Sequence, residues 1–322
     1  MVLKRCNPGW AVRLVFMVLF VLISGGLSQA AVETLLAVGY ADNAQETRDG
    51  TGSPFSVYQL EGRLELVPVS PWGVEVYGRS DYRDYWRLAD NYSLEAGGRL
   101  ERTVWEGRLA VAMLTSILWY RDDLQPDDAR NDYQLASELT LYLDERWSAG
   151  LSLTYVWADY RGRVEESTAD ASGPGESGQG GGRSPSQGEA VDMFSRSRED
   201  RLWTLGGRLE CHLSADWQTS VVVRLADCDS TIRRESCDEL AVENNWVWQL
   251  AWHWRAEAWW HLVWRRYHQD SERNRKVGAL LAWQWLDNSE IALSWQLLEA
   301  DADRDDDNYR AMVSLCALKW FF

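Results

Sequence analysis

One pattern limits what this chain can fold into. From residue 33 to the C-terminal Phe322, short segments alternate apolar and polar side chains with a period of two. The stretch 241–254 shows it best. Trp246, Trp248, Leu250, Trp252 and Trp254 fall on one side. Asn245, Gln249 and His253 fall on the other, with Val247 and Ala251. In 56–69, Tyr58, Leu60, Gly62, Leu64 and Leu66 share a face opposite Gln59, Glu61, Arg63 and Glu65. A strand turns successive side chains to opposite faces, whereas a helix repeats every three or four residues. These segments are therefore expected to be strands.

Fourteen such spans fit the chain: 33–42, 56–69, 72–82, 92–104, 107–121, 132–143, 147–161, 201–213, 217–227, 241–254, 258–267, 276–286, 289–299 and 309–322. Their connections alternate in length. Short turns fall at Ser70-Pro71, Trp105-Glu106, 144–146, 214–216, 255–257 and Asp287-Asn288. Longer polar loops fall at 43–55, 83–91, 122–131, 162–200, 228–240, 268–275 and 300–308. An even strand number with alternating short and long connections predicts an all-β, up-and-down antiparallel transmembrane barrel, with both termini on the short-turn side. Ala31–Glu33 leads straight into the first span, so no plug domain is expected.

The N-terminus supports a membrane destination. Lys4, Arg5 and Arg13 precede an apolar run from Leu14 to Ile23, and Ser28-Gln29-Ala30 is a small-residue cleavage site. Residues 1–30 are thus expected to be a cleaved signal peptide, and 31–322 the mature barrel. The apolar run is shorter than the about 20 residues of a spanning helix. Removing 1–30 takes away three cations and no acid, so the formal charge moves from −16 to −19. Such an acidic exported chain lacks the basic face that nucleic acid requires. The chain holds 20 Trp, 13 Tyr and only 7 Pro. Trp and Tyr suit a membrane–water boundary. Trp72, Trp105, Trp147, Trp217, Trp259, Trp285 and Trp320 lie near short turns or the C-terminus. Trp119, Tyr120, Trp157, Tyr160, Trp203, Trp264 and Tyr267 lie near long loops. Two aromatic girdles are expected from them.

Leu318, Trp320 and Phe322 alternate up to the last residue. This ending resembles the C-terminal β-signal of bacterial outer-membrane proteins. The resemblance implies insertion by the barrel-assembly machinery and residence in the outer membrane of a Gram-negative cell, among outer-membrane lipid and lipopolysaccharide. It extends over the mature chain as architecture and identifies no family within that class. Without an expected plug, the chain is set apart from siderophore-type transporters and from long-chain fatty-acid channels. In the last span, Val313 and Leu315 compete with Met312 and Cys316 for the lipid face, and the first and fifth spans are similarly ambiguous.

The polar faces carry the chemistry. One tetrapeptide recurs as Gly62-Arg63-Leu64-Glu65, Gly98-Arg99-Leu100-Glu101 and Gly207-Arg208-Leu209-Glu210. Leu belongs against lipid, so Arg and Glu belong in the lumen. An Arg facing mid-membrane lipid would cost about 2–4 kcal/mol. The same parity turns Glu61, Glu75, Arg79, Glu95, Arg108, Glu138, Arg224, His261 and Arg265 inward. Mixed charges of this kind line a hydrophilic pore. The alternative is a ladder of ion pairs that closes the lumen. Cys228 and Cys237 flank eight residues of an outer loop and are expected to form a disulfide in an oxidising compartment. Cys211 and Cys316 lie on separate strands as lone thiols. Asp301, Asp303 and Asp305, with Asp306 and Asp307, offer oxygen ligands to a hard cation, but the fixed Gly and closing Glu of a calcium loop are missing. A solvated acidic loop is the simpler expectation. The Gly- and Ser-rich 162–200 reads as a disordered extracellular loop. The four His sit in no catalytic motif, and His268 beside Asp270 reads as an ordinary loop pair. No enzymatic activity and no cofactor are expected. The expected function is a porin-like channel for passive diffusion of small hydrophilic solutes. The alternatives are an export or assembly barrel, served by periplasmic partners in a polysaccharide or surface-protein pathway, and a closed structural barrel.

Overall fold

A computed structural model describes residues 30–43, 51–66, 72–123, 128–165, 195–232, 235–251, 253–267, 270–303 and 308–322. Fourteen strands follow in order: β1 (Ala30–Ala41), β2 (Ser53–Leu66), β3 (Gly73–Tyr85), β4 (Asn91–Val104), β5 (Leu109–Asp122), β6 (Arg130–Tyr142), β7 (Trp147–Glu165), β8 (Ser195–Ser214), β9 (Trp217–Ser230), β10 (Cys237–Ala251), β11 (Trp254–Tyr267), β12 (Ser271–Leu286), β13 (Ser289–Ala302) and β14 (Tyr309–Phe321). Each pairs antiparallel with its sequence neighbours, and β1 pairs with β14 to close the barrel. The last rung is made by the terminal residue. Val32 N donates to Phe322 O at 3.0 Å, and Phe322 N donates to Val32 O at 2.8 Å. Closure leaves the barrel wall without an open edge, which a sheet needs before it can sit in hydrocarbon.

Register assigns the faces. The outer one carries exposed Leu36, Val38, Leu139, Leu151, Leu205, Leu225 and Leu293 among other large apolar side chains. Its aromatics meet as direct cross-strand pairs. Tyr155 and Trp203 have ring centroids 4.6 Å apart, Tyr133 and Trp157 5.1 Å, and Trp254 and Trp283 5.9 Å. Not every expected girdle residue belongs there. Tyr120, Tyr160, Trp259 and Tyr267 pair with inner-face residues and point inward. The inward turn of Trp259 is fixed by Gly278 opposite it. A Cβ on Gly278 would lie 2.2 Å from the Trp259 ring.

The ambiguous last strand resolves in the same way. Val313 and Leu315 face inward, and Met312 and Cys316 face outward. They turn inward because that sector of the inner wall is apolar. Leu35, Ala37, Ala282, Ala292 and Ala317 pack together there with Val57, Leu280 and Leu315.

Several strands run farther than the alternation of apolar residues indicates. β7 reaches Glu165 and β8 starts at Ser195, so the connection between them is shorter than 162–200. β12 starts at Ser271, which turns most of the expected loop 268–275 into strand. Backbone pairing continues past the apolar belt, where both faces of a strand are polar and the hydrophobic signal stops. At the opposite end β5 starts at Leu109, later than expected. Arg108 therefore lies in the turn and not on the inner wall. In that turn Arg108 N donates to Trp105 O at 3.0 Å, across Glu106 at φ 54° and Gly107 at φ 87°. The signal segment 1–29, residues 166–194, His268 and Asp305–Asp307 lie outside the described residues.

Candidate functional site: the charged inner wall

Apart from Arg108, every residue predicted to line the pore lies on a strand and on the inner face. Cross-strand register groups them into rungs. Glu61, Arg79 and Glu95 form one rung across β2, β3 and β4, and Glu65, Glu75 and Arg99 form another. Between these rungs Arg63 faces Tyr77, which faces Gly97. Gly97 leaves room for the Tyr77 ring, which a side chain there would strike at 2.5 Å. Tyr77 Oη donates to Glu95 at 3.2 Å. The rungs enclose a recess of about 400 Å³ lined by Glu61, Arg63, Glu75, Arg79, Glu95 and Arg99. Its size matches that of small-molecule sites.

The guanidinium groups pair mainly along their own strands. Residues two apart on a strand share a face, so an acid at that spacing is the nearest partner. Arg63 Nη2 lies 2.6 Å from Glu61, Arg79 Nε 2.8 Å from Asp81, Arg99 Nη2 2.8 Å from Glu101 and Arg208 Nη2 2.6 Å from Glu210. In the Gly-Arg-Leu-Glu repeats, Arg99 and Arg208 take the repeat's own Glu. Arg63 instead takes the upstream Glu61, leaving Glu65 opposite Glu75. Arg99 also crosses to Glu138 on β6 at 2.9 Å. Ala112 makes that reach feasible, because it sits between Glu101 and Glu138 with no bulk to block the guanidinium.

On the far side of the wall the pairs cross between strands instead. Arg224 meets Glu243 at 2.9 Å. Arg265 lies between Glu239 at 2.8 Å and Glu272 at 3.6 Å, its direct neighbours on β10 and β12. Glu210 also accepts a hydrogen bond from Gln218 Nε2. His261 lies between Glu243 and Lys276, with Nε2 buried and unbonded.

A second cluster escaped sequence reasoning. Tyr160 lies between two cations, with the Arg198 guanidinium carbon 4.2 Å and that of Arg130 5.6 Å from its ring centre. Arg130 pairs with Asp132 at 3.0 Å and Arg198 with Asp200 at 2.6 Å, and Ser230 Oγ donates to Asp200 at 2.5 Å. The signal was present as Arg-x-Asp, the same two-residue spacing as Arg79-Ser80-Asp81. Arg130, Arg198 and Asp200 fell in stretches taken for loops, and Asp132 began an expected strand.

Cys228 and Cys237 are direct cross-strand partners on the inner face of β9 and β10, and both are free thiols. They were expected inside a loop. Asp301 faces outward on β13, and Asp303 accepts hydrogen bonds from Ser271 N at 2.7 Å and Ser271 Oγ at 2.8 Å. No group of three metal-binding side chains occurs among the described residues. Leu318 and Trp320 face outward near the seam that Phe322 completes.

The architecture has counterparts among solved outer-membrane proteins. The outer membrane channel DcaP of Acinetobacter baumannii matches with a TM-score of 0.55 at 8% sequence identity, over 91% of this chain and 96% of that one. The fold is that of a bacterial outer-membrane β-barrel. OmpT, an outer-membrane protein of Vibrio cholerae, gives a TM-score of 0.51 at 7% identity, over 91% and 97%. No family model and no curated protein matches the barrel. At these identities the likeness covers architecture and assigns no residue a role.

Proposed function

We propose that the barrel is an outer-membrane channel through which small hydrophilic solutes diffuse passively. One observation carries this reading: paired charges on the inner wall stay exposed. Arg63 and Arg208 keep 57% and 55% of their side-chain surface exposed while paired. Arginine–carboxylate pairs that closed a dry lumen would lose that exposure. A barrel of fourteen strands is also wider than the eight-stranded ones that side chains fill.

The sign of the wall sets the selectivity. The described inner-face positions hold seventeen Asp or Glu against twelve Arg or Lys. Excess carboxylate favours cations and anion-poor solutes. Reversal potentials under a salt gradient test this. The native barrel should prefer cations. The R63E/R208E variant should prefer them more strongly, most clearly at low salt where screening is weak. An anion preference in the native barrel, or no change in the variant, would contradict the assignment.

A further inference from the structure

Around the recess of β2–β5 the wall leaves two carboxylates without a cation. Arg99 is the direct cross-strand neighbour of Glu75, and Arg79 that of Glu95. Neither arginine bonds to its neighbour. Arg79 turns to Asp81 at 2.8 Å, and Arg99 to Glu101 at 2.8 Å and Glu138 at 2.9 Å. Asp81 and Glu101 lie on opposite sides of the Tyr77–Gly97 rung, so both guanidiniums turn away from it. Arg63, in that rung, is taken by Glu61 at 2.6 Å. Among the described residues Glu75 has no ion pair or hydrogen bond, and Glu95 accepts only the Tyr77 hydroxyl. Glu65, directly opposite Glu75, is a further unpaired acid. Like charges directly opposite each other weaken a strand pair, and a cation beside them relieves that cost.

The recess is lined by three arginines and three glutamates, yet its charge is not balanced. Each arginine is answered by an acid, and the charge left over is that of Glu75 and Glu95. Two lining residues are uncharged. Tyr77 lies across Gly97 with its ring on the recess, and Leu114 is the β5 neighbour of Arg99. An aromatic face attracts a cation held over it. An apolar side chain beside it gains by contact with carbon. Carboxylates, ring and leucine together suit an organic cation better than a hard metal ion, which asks for oxygen ligands alone.

We propose that the recess is a binding subsite for small organic ammonium ions. The protonated nitrogen lies over the Tyr77 ring, between Glu75 and Glu95, and the carbon tail lies against Leu114. An ammonium carries three donors, enough for both carboxylates at once. The inference rests on the channel reading for the solute's access to the wall, and it names one class of solute that the wall would hold in passage.

The test is isothermal titration calorimetry of the refolded full-length barrel in detergent, with detergent alone as the blank. The buffer is potassium chloride at fixed ionic strength, so that any uptake is a preference over potassium. The probes are butylammonium and uncharged butanol. Butylammonium should bind saturably, and butanol should not. E75Q/E95Q should weaken the butylammonium affinity about tenfold or more. Asp227→Asn, at an outward acid on β9, should leave it unchanged. No saturable heat in the native barrel, an equal heat with butanol, or an unchanged affinity in folded E75Q/E95Q would overturn the proposal. The native-barrel arms decide even if the double variant fails to fold. Current through a planar bilayer keeps the two readings apart. A barrel that conducts but binds no butylammonium loses the subsite and keeps the channel. A barrel that binds it without conducting keeps the subsite and loses the channel.

Discussion

At the scale of single residues, small side chains decide where large ones go. Gly278 lets the Trp259 ring lie flat on the inner wall, Gly97 does the same for Tyr77, and Ala112 clears a path from Arg99 to Glu138. Gly278→Val should expel Trp259 and cost roughly 1–3 kcal/mol of stability by overpacking. Urea titration of the refolded barrel measures it, and an unchanged midpoint would show that Trp259 moves freely. The thiols make a second prediction. Directly opposed strand residues have Cα atoms about 4.5–5.5 Å apart, inside the range a disulfide accepts. Cys228 and Cys237 should therefore be linked in protein recovered from an oxidising compartment. Mass spectrometry without reduction should find the joined peptide, and two alkylated thiols would refute the linkage. Side-chain parity made Arg99, Glu138 and Arg208 legible from sequence. The partners they choose were not, because pairing along a strand or across it depends on the bulk of the neighbour between.

At the scale of elements, alternation located all fourteen strands but misplaced their ends. Signal was strong wherever one face met apolar surroundings, as in Leu60, Leu64 and Leu66. It vanished above the belt, where Glu272, Asn274 and Arg273 keep a polar strand paired. For the same reason Arg130 and the Arg198–Asp200 pair around Tyr160 were hidden in expected loops, with Asp132 at the edge of an expected strand. The C-terminal strand is different, because its end has a mechanical role. Phe322 supplies both backbone bonds to Val32 that finish the seam. We expect deletion of Phe322 to lower the amount of inserted barrel and leave chain in the periplasm. Fractionation and immunoblotting would show it. Equal insertion would mean that the resemblance of Leu318, Trp320 and Phe322 to an assembly signal is accidental.

At the scale of the whole molecule, the closed wall separates two environments, and the charges divide accordingly. The outer face carries apolar and aromatic side chains over its middle. The inner face carries ion pairs around the wall, with an apolar sector where β12, β13, β14, β1 and β2 adjoin, bordered by the Lys319–Glu33 and Arg255–Glu290 pairs. This division explains why the fold was readable from sequence while the transported solute was not. Alternation reports which face is wet, but not how the guanidinium and carboxylate groups are arranged around the recess. The central claim is that the lumen is an open, wet and net-acidic path. Single-channel recording of the refolded barrel in a planar bilayer tests it most directly. The account predicts discrete conductance steps with a reversal potential on the cation-selective side. Stable insertion of a folded barrel that passes no current would contradict it and point to a closed lumen.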